Sequence, residues 1–319
     1  MPYMMAFLAK ENSKENMEKI TKSKKAEKKN TEKLKEPKEK SQTTNVAISM
    51  TFCDRGENHA GMKGEGRLLE VGEGLNKKDL IKGKKLAKKW GLECKLLHLN
   101  DLLSPEDMQR VKDDGTIETG IAEDAYVLVV RGFVDAIMAR VHKTKWDLFK
   151  EMNGATWDTR YYDTRRKKVL NKRARSNNVI TDRSCPANFE EKQGTLIDFK
   201  DLPLLSMIRG ALYELFGEKC KDFVAEGNRY EDGGVMKHGI GWHGDAERFI
   251  VACIRLGMDP SMIMYYQWYW RNAARGKKLG IRLGAGDLYV MSEIATGHWW
   301  RSSTKFCPRH ATGAPKYVK

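Results

Sequence analysis

The sequence predicts an α+β protein, and three observations carry that reading. One strongly amphipathic stretch, Asp201–Phe216, is followed by short β-leaning runs separated by Gly, Pro and Asp turns. Ahead of it, between about residues 45 and 150, strand-like and helix-like runs alternate. Apolar residues make up 40% of the 319, enough for a sizeable core even with 32% charged. No apolar run approaches the roughly 18 residues that a membrane-crossing helix needs, and Pro2–Ala9 lacks the basic start and cleavage site of a signal peptide.

Residues 1–44 are expected to be a disordered Lys-rich tail. From Lys10 onward the tail is Lys, Glu, Asn, Ser and Thr, too poor in apolar residues to offset the entropy of ordering. Its role is open between solubilisation and nucleic-acid affinity or nuclear import. Val46–Phe52 is β-rich, Lys77–Trp90 has helical periodicity, and Cys94–Leu99 returns to strand. Ser104-Pro105-Glu106 has the order of a cap, a first-turn Pro and an acid. Tyr126–Val130 reads as a buried strand and Val134–Met152 as one helix, so residues 45–152 are expected to form an α/β accessory lobe.

Residues 153–319 are expected to form the main domain, with a basic region at about 155–200 and a core at about 201–319. In the core, Asp201 should cap the helix and Gly217 close it. The strands predicted after it are Phe249–Leu256, Met262–Trp270, Lys278–Arg282, Asp287–Met291 and Ser303–Phe306, an antiparallel sheet or barrel backed by the helix.

The six cysteines are scattered with no CxxC, which excludes a disulfide framework or zinc finger and fits a reducing, intracellular compartment. Net charge is +15, which points to a polyanionic partner. The tail holds 12 Lys and 7 Glu, so most of the excess lies in the folded part.

Gly241-Trp242-His243-Gly244-Asp245 contains an H-x-D pair at a predicted strand end. Residues i and i+2 of a strand share a face, so this imidazole and carboxylate can meet one metal ion. His298 is the predicted third ligand. Two His and one carboxylate leave three open positions on an octahedral ion, the arrangement of non-haem Fe(II) oxygenases.

The wider order of motifs is Asn228-Arg229-Tyr230, then His243-x-Asp245, then Gly286-Asp287-Leu288, then His298 and Arg309. This order resembles the AlkB-like family of Fe(II)/2-oxoglutarate-dependent dioxygenases over about residues 225–312. The resemblance implies a double-stranded β-helix (jelly-roll) core, with His243, Asp245 and His298 holding Fe(II). It implies that Arg309 pairs with the distal carboxylate of 2-oxoglutarate and that Asn228 and Tyr230 contact the same cosubstrate. Glu247 resembles an acid near the iron in eukaryotic members, or it pairs with Arg248. The family's second Arg has no counterpart here, and Lys316 is the candidate replacement.

Arg160–Arg175 carries eight cations against Asp163 alone, interleaved with Tyr161 and Tyr162. Cations beside aromatics suit a nucleic-acid strand, so Arg165, Arg166, Lys167, Lys168, Lys172, Arg173 and Arg175 are predicted substrate contacts, the alternative being a solvated basic loop. In the resembled family this region supplies a nucleotide-recognition lid. Trp299, beside the proposed ligand, could stack a flipped base. Tyr265–Trp270 is read first as barrel core, and Asp54–His59 first as a hydrogen-bonded loop.

The function implied is oxidation of a methyl or alkyl group on a nucleobase of DNA or RNA, foremost oxidative demethylation. The alternatives are hydroxylation of a pyrimidine 5-methyl group, protein hydroxylation, and a catalytically silent nucleic-acid-binding module. Oligomeric state is not legible.

Overall fold

The computed structural model describes residues 44–113, 124–258 and 262–319. The first half of the chain supplies the strands β1 (Ala47–Cys53), β2 (Arg55–Glu57), β3 (Gly64–Gly66), β4 (Cys94–His98), β5 (Tyr126–Val130), β6 (Arg160–Asp163), β7 (Lys168–Asn171), β8 (Ser176–Thr181) and β9 (Leu196–Asp198). The second half supplies β10 (Val224–Tyr230), β11 (Gly239–His243), β12 (Val251–Gly257), β13 (Met264–Trp270), β14 (Ala273–Ile281), β15 (Leu288–Met291) and β16 (Cys307–Gly313). The helices are α1 (Lys77–Lys89), α2 (Pro105–Asp113), α3 (Phe133–Ala139), α4 (Lys145–Asn153), α5 (Pro203–Phe216) and α6 (Pro315–Val318). The chain is therefore α+β. Among the described residues no helix is long and apolar enough to cross a membrane. The tail expected at residues 1–44 lies outside the described residues but for its last position.

Local chemistry explains the helix ends. Asn76 and Asp79 form a reciprocal capping box at α1, and Thr144 with Asp147 does the same at α4. Ser104 Oγ accepts from Asp107 N ahead of α2, as its sequence predicts. Where one helix was expected over Val134–Met152 there are two. The chain breaks at His142, whose φ of 54° is left-handed, and restarts at the Thr144 cap. Asp201 does not cap α5, because it sits in the 3-10 turn Phe199–Asp201 and Pro203 takes the first helical turn. The free N–H groups of Leu204 and Leu205 donate instead to the Glu151 carboxylate, at 3.0 and 2.9 Å. Gly217 closes the helix at φ 74°, as expected.

Eight strands form one sheet in the order β4-β5-β15-β12-β1-β10-β8-β9, antiparallel except for β8 with β9. Four more form a second antiparallel sheet, β11-β16-β13-β14. One face of the large sheet presents Ile48, Met50, Phe52, Leu128, Ile254 and Val290 to an apolar layer that includes Leu205, Ile208 and Leu212 of α5. Its other face presents Val127, Val129, Val251, Cys253 and Met291 to Met264, Tyr266 and Trp268 of the small sheet. This alternation is what strands buried on both faces require.

Residues 45–152 are not a separate lobe. β1 lies between β12 and β10, β5 pairs with β15, and the described residues cluster as one compact unit. The sequence could not reveal this, since these pairings join segments far apart in the chain. The last predicted strand is also displaced: Ser303–Phe306 precedes the observed β16.

Because a remote carboxylate caps α5, Glu151→Ala should destabilise the protein by about 1–2 kcal/mol. Asp201→Ala should cost less than about 0.5 kcal/mol. Denaturant unfolding of the two variants checks the assignment, and equal losses would refute it.

Candidate metal centre and substrate cavity

β11 and β16 bring two histidines face to face. His243 ends β11 and is the register partner of His310 on β16, with their ring centroids 4.4 Å apart. Asp245, two residues on, reaches the same point, with Oδ2 3.5 Å from His310 Nε2. One ligand atom from each of His243, Asp245 and His310 lies within 4.8 Å of the others, a spacing that can hold a metal ion. The Gly241 carbonyl, 2.7 Å from His243 Nδ1, can only accept, so Nδ1 carries the proton and Nε2 keeps its lone pair for a metal.

Burial holds the His243 imidazole down to about 4 and keeps His310 well below its usual range. Burial also pushes the Asp245 carboxyl up to about 8. A divalent cation would supply the charge that this carboxylate lacks. The loop is fixed from outside its own sheet. Asp245 N donates to Thr296 O at 2.9 Å, and a Cβ on Gly244 would sit 2.1 Å from Gly297 O.

The histidine that completes this cluster is His310, where His298 was expected. His298 follows Gly297 in a turn, stacks on Phe249 at 4.0 Å and is not a member of the cluster. Arg309 is corrected by the same strand. Adjacent residues of β16 face opposite ways, so His310 facing the cluster turns Arg309 outward. There its Nη2 donates to Asn272 Oδ1 and Trp300 O, and its guanidinium lies 4.5 Å from the Tyr269 ring centroid. Lys316 is exposed beside Tyr317 and does not line the cavity.

The cluster opens on a cavity of about 380 Å³ between the sheets. Asn228 and Tyr230 line it, and Asn228 is engaged: its Oδ1 accepts from Arg175 Nε and from Asn177 Nδ2. Deep in the cavity lies Arg255, an arginine that the sequence reading passed over. It is 2% exposed, its Nε and Nη1 have no hydrogen-bond partner, and its guanidinium lies 5.8 Å from the Tyr289 ring centroid. A signal was present. In the β12 run Val-Ala-Cys-Ile-Arg-Leu-Gly, an arginine occupies the Val251–Cys253 face of an otherwise apolar strand.

Of the two readings of Glu247, the pairing with Arg248 is present. Glu247 lines the cavity and accepts from Arg248 at 2.7 Å, while Arg248 also binds Glu226 at 2.5 Å. The Asp54–His59 segment divides its work: Asp54 accepts from Phe249 N and Ile250 N, whereas Glu57 and His59 face the cavity. Trp300 and Arg301 line the wall, and Trp299 turns its edge to His298 instead.

The basic region splits in a similar way. Arg165, Lys167 and Lys168 are exposed around the β6–β7 turn and line neither chamber. Arg166, Lys172, Arg173 and Arg175 line a second chamber of about 540 Å³ that has no carboxylate in its wall. This chamber shares His59 and Arg175 with the first, and His59 stacks on Tyr161 at 3.8 Å. Lys172 donates to Asn58 O, Asn58 Oδ1 and Asn177 Oδ1, so it is held as part of the wall.

Fold and site together define an α+β protein with a buried His–Asp–His cluster at a cavity between two sheets. No protein-family model matches the chain. Over 272 residues it is 36% identical to the uncharacterized protein R156 of Acanthamoeba polyphaga mimivirus, which covers 85% of this chain and 97% of the viral protein. The chain belongs to the same family as that protein.

Metal titration separates the two candidate third ligands. His310→Ala should weaken Co(II) binding by more than about 100-fold, while His298→Ala should leave it near wild type. The reverse order would refute the cluster. A second expectation concerns pH. Burial, with Glu247 and Glu226 nearby, pushes the Glu57 carboxyl up to about 7 from 4.5. The folded protein thus keeps a proton that the unfolded chain releases near 4.5, so stability falls as pH rises from 4.5 to 7. The loss in thermal midpoint between about pH 5 and about pH 8 should be smaller in Glu57→Gln than in wild type; equal losses would count against it.

Proposed function

We propose that the protein is an AlkB-like Fe(II)/2-oxoglutarate-dependent dioxygenase that oxidises a methyl or alkyl group on a nucleobase, foremost by oxidative demethylation. The observation that carries this reading is a two-histidine, one-carboxylate cluster facing the same cavity as a buried arginine with two unpartnered N–H groups. On this reading the facing sheets are the two halves of a double-stranded β-helix, or jelly-roll, with the cavity between them.

The residues present suit both absent groups. Two neutral imidazoles and a carboxylate match the open-faced iron sites of oxygenases. With dioxygen, the iron and 2-oxoglutarate together supply the oxidant, as the cosubstrate goes to succinate and carbon dioxide and a substrate C–H bond gains one oxygen atom. On this reading Arg255 holds the distal carboxylate, the role expected of Arg309. Its two orphaned donors, themselves buried, favour a carboxylate over any neutral ligand. Tyr230 and Tyr289 line the same wall and would flank a carboxylate bound there.

Substrate placement falls to the remaining walls. Glu57, Glu226 and Glu247 offer acceptors for the amino and imino edges of a base, and Trp300 offers a ring face. Arg175 spans from this cavity to the basic chamber, where a phosphate next to the base would find Arg166 and Arg173. An N-methyl carbon hydroxylated here gives a hemiaminal that releases formaldehyde. A hydroxylated C-methyl gives a stable alcohol.

The experiment is anaerobic reconstitution with Fe(II), followed by 2-oxoglutarate, oxygen and a panel of methylated DNA and RNA oligonucleotides read by mass spectrometry. Loss of a methyl mass with formaldehyde is expected; gain of one oxygen at a methyl carbon would make the enzyme a base-modifying hydroxylase. No succinate under any condition would sink the oxygenase reading. Arg255→Met should weaken 2-oxoglutarate binding, measured calorimetrically with Mn(II), by about 30-fold or more. Arg309→Met should change it by less than about threefold, and a larger loss there than at Arg255 would return the anchor to Arg309.

A further inference from the structure

β13 carries a row of rings that the site does not use. Tyr266, Trp268 and Trp270 alternate along the strand, so all three fall on one face at steps of roughly 7 Å. The pairing of β13 with β16 runs without a break from Met264 to Tyr269, so nothing interrupts the alternation. The innermost ring reaches the metal cluster, with the Tyr266 centroid 5.7 Å from that of His310. Its hydroxyl is buried and has no hydrogen-bond partner among the described residues. Trp268 is 1% exposed, and its Nε1 donates to Leu99 O at 2.9 Å. Phe306 packs on both indoles, 5.7 Å from Trp268 and 6.5 Å from Trp270. Trp270 ends the row half-buried, with the guanidiniums of Arg271, Arg110 and Arg275 at 4.5, 5.1 and 5.4 Å from its centroid.

Core packing alone does not require this row. Phenylalanine would fill the Tyr266 position without leaving a buried hydroxyl unpartnered. Tyrosine and tryptophan are the aromatic side chains that give up an electron most readily. Electron transfer between rings falls steeply with distance, so a chain of short steps conducts where one long step does not.

We infer that Tyr266, Trp268 and Trp270 form a relay that carries electrons from the surface to the iron site when the oxidant made there meets no substrate. This rests on the oxygenase reading above. An oxygen atom left undelivered is reduced to water by two electrons and two protons, one of each at a time. In each step Tyr266 gives an electron and its phenol proton to the site, then regains an electron from Trp268 and a proton from solvent through the cavity. Trp270 refills Trp268 and releases its indole proton to water, and an anionic reductant such as ascorbate restores both. The three guanidiniums disfavour a positive charge on Trp270, which promotes loss of that proton, and they draw an anionic reductant to the ring.

The first test needs no metal. Azide radicals made by pulse radiolysis oxidise accessible tryptophan, and absorption distinguishes tryptophanyl from tyrosyl radicals. Wild type should convert one into the other in a first-order phase whose rate does not depend on protein concentration. Tyr266→Phe and Trp270→Phe should each lose that phase, while Tyr269→Phe, on the opposite face of β13, should keep it. Tyr266→Phe removes only a hydroxyl and Trp270→Phe lies at the end of the row, so the pair guards against a folding defect in either. A wild type without the phase, or its loss at Tyr269 in place of Tyr266, would overturn the relay. The second test is turnover with Fe(II), 2-oxoglutarate and oxygen but no nucleic acid, followed by peptide mass spectrometry. Ascorbate should keep the cavity-lining Trp242 and Trp300 of the wild type from gaining oxygen, and should fail to do so in Tyr266→Phe. Equal protection of the two would also overturn the relay. Absence of succinate would overturn the oxygenase reading and the relay's role with it, a result distinct from loss of the metal-free phase.

Discussion

The register of β1 against its two neighbours is the constraint on which the rest of the site depends. Ser49 pairs with Asn228 on one side and Arg255 on the other, and Asn228 pairs in turn with Asn177. This places Asn177, Asn228, Ser49 and Arg255 in one row across the sheet. The neighbouring row, Ile48 with Leu256, points into the helical layer. A slip of one residue would put a guanidinium among leucines and isoleucines and turn apolar side chains into the cavity. Hydrophobic burial on one face thus fixes polar placement on the other.

That face changes character along the sheet. Under β5, β15 and the first half of β12 it is apolar and packs on Tyr266 and Trp268. From Arg255 across β1 to β10 it becomes polar, and there the sheets part to leave the cavity. The carboxylates and guanidiniums in this part are not isolated. Arg175, Asn228, Glu226, Arg248 and Glu247 form one connected series of hydrogen bonds and ion pairs. Removing any member would leave a buried neighbour uncompensated, which makes the wall stiff.

Local patterns were legible in the sequence, and pairings between distant segments were not. His243 and Asp245 could be read together because two residues of separation on a strand end place both on one face. His310 could not, because its meeting with His243 depends on β11 pairing with β16, and no spacing rule predicts a pairing across that distance. His298 was named instead, from its place after a predicted strand and from the order of motifs, and Arg309 was named with it. Arg255 was visible as a charge in an apolar strand but drew no attention without a cavity to face. Helix α5 was recognised from its apolar periodicity, whereas its cap came from Glu151, which sequence adjacency does not reveal.

The loop that carries Asp245 and the wall formed by Trp300 and Arg301 are held by different anchors. Asp245 is tied to Thr296 and Gly244 abuts Gly297, while His310 is fixed by its strand. Between these points the chain runs through Trp300 and Arg301, which line the cavity and supply no ligand. Changes in that stretch can reshape what the cavity admits while the ligand geometry stays where the sheets put it. A scaffold divided in this way lets related proteins diverge in substrate without having to rebuild their chemistry.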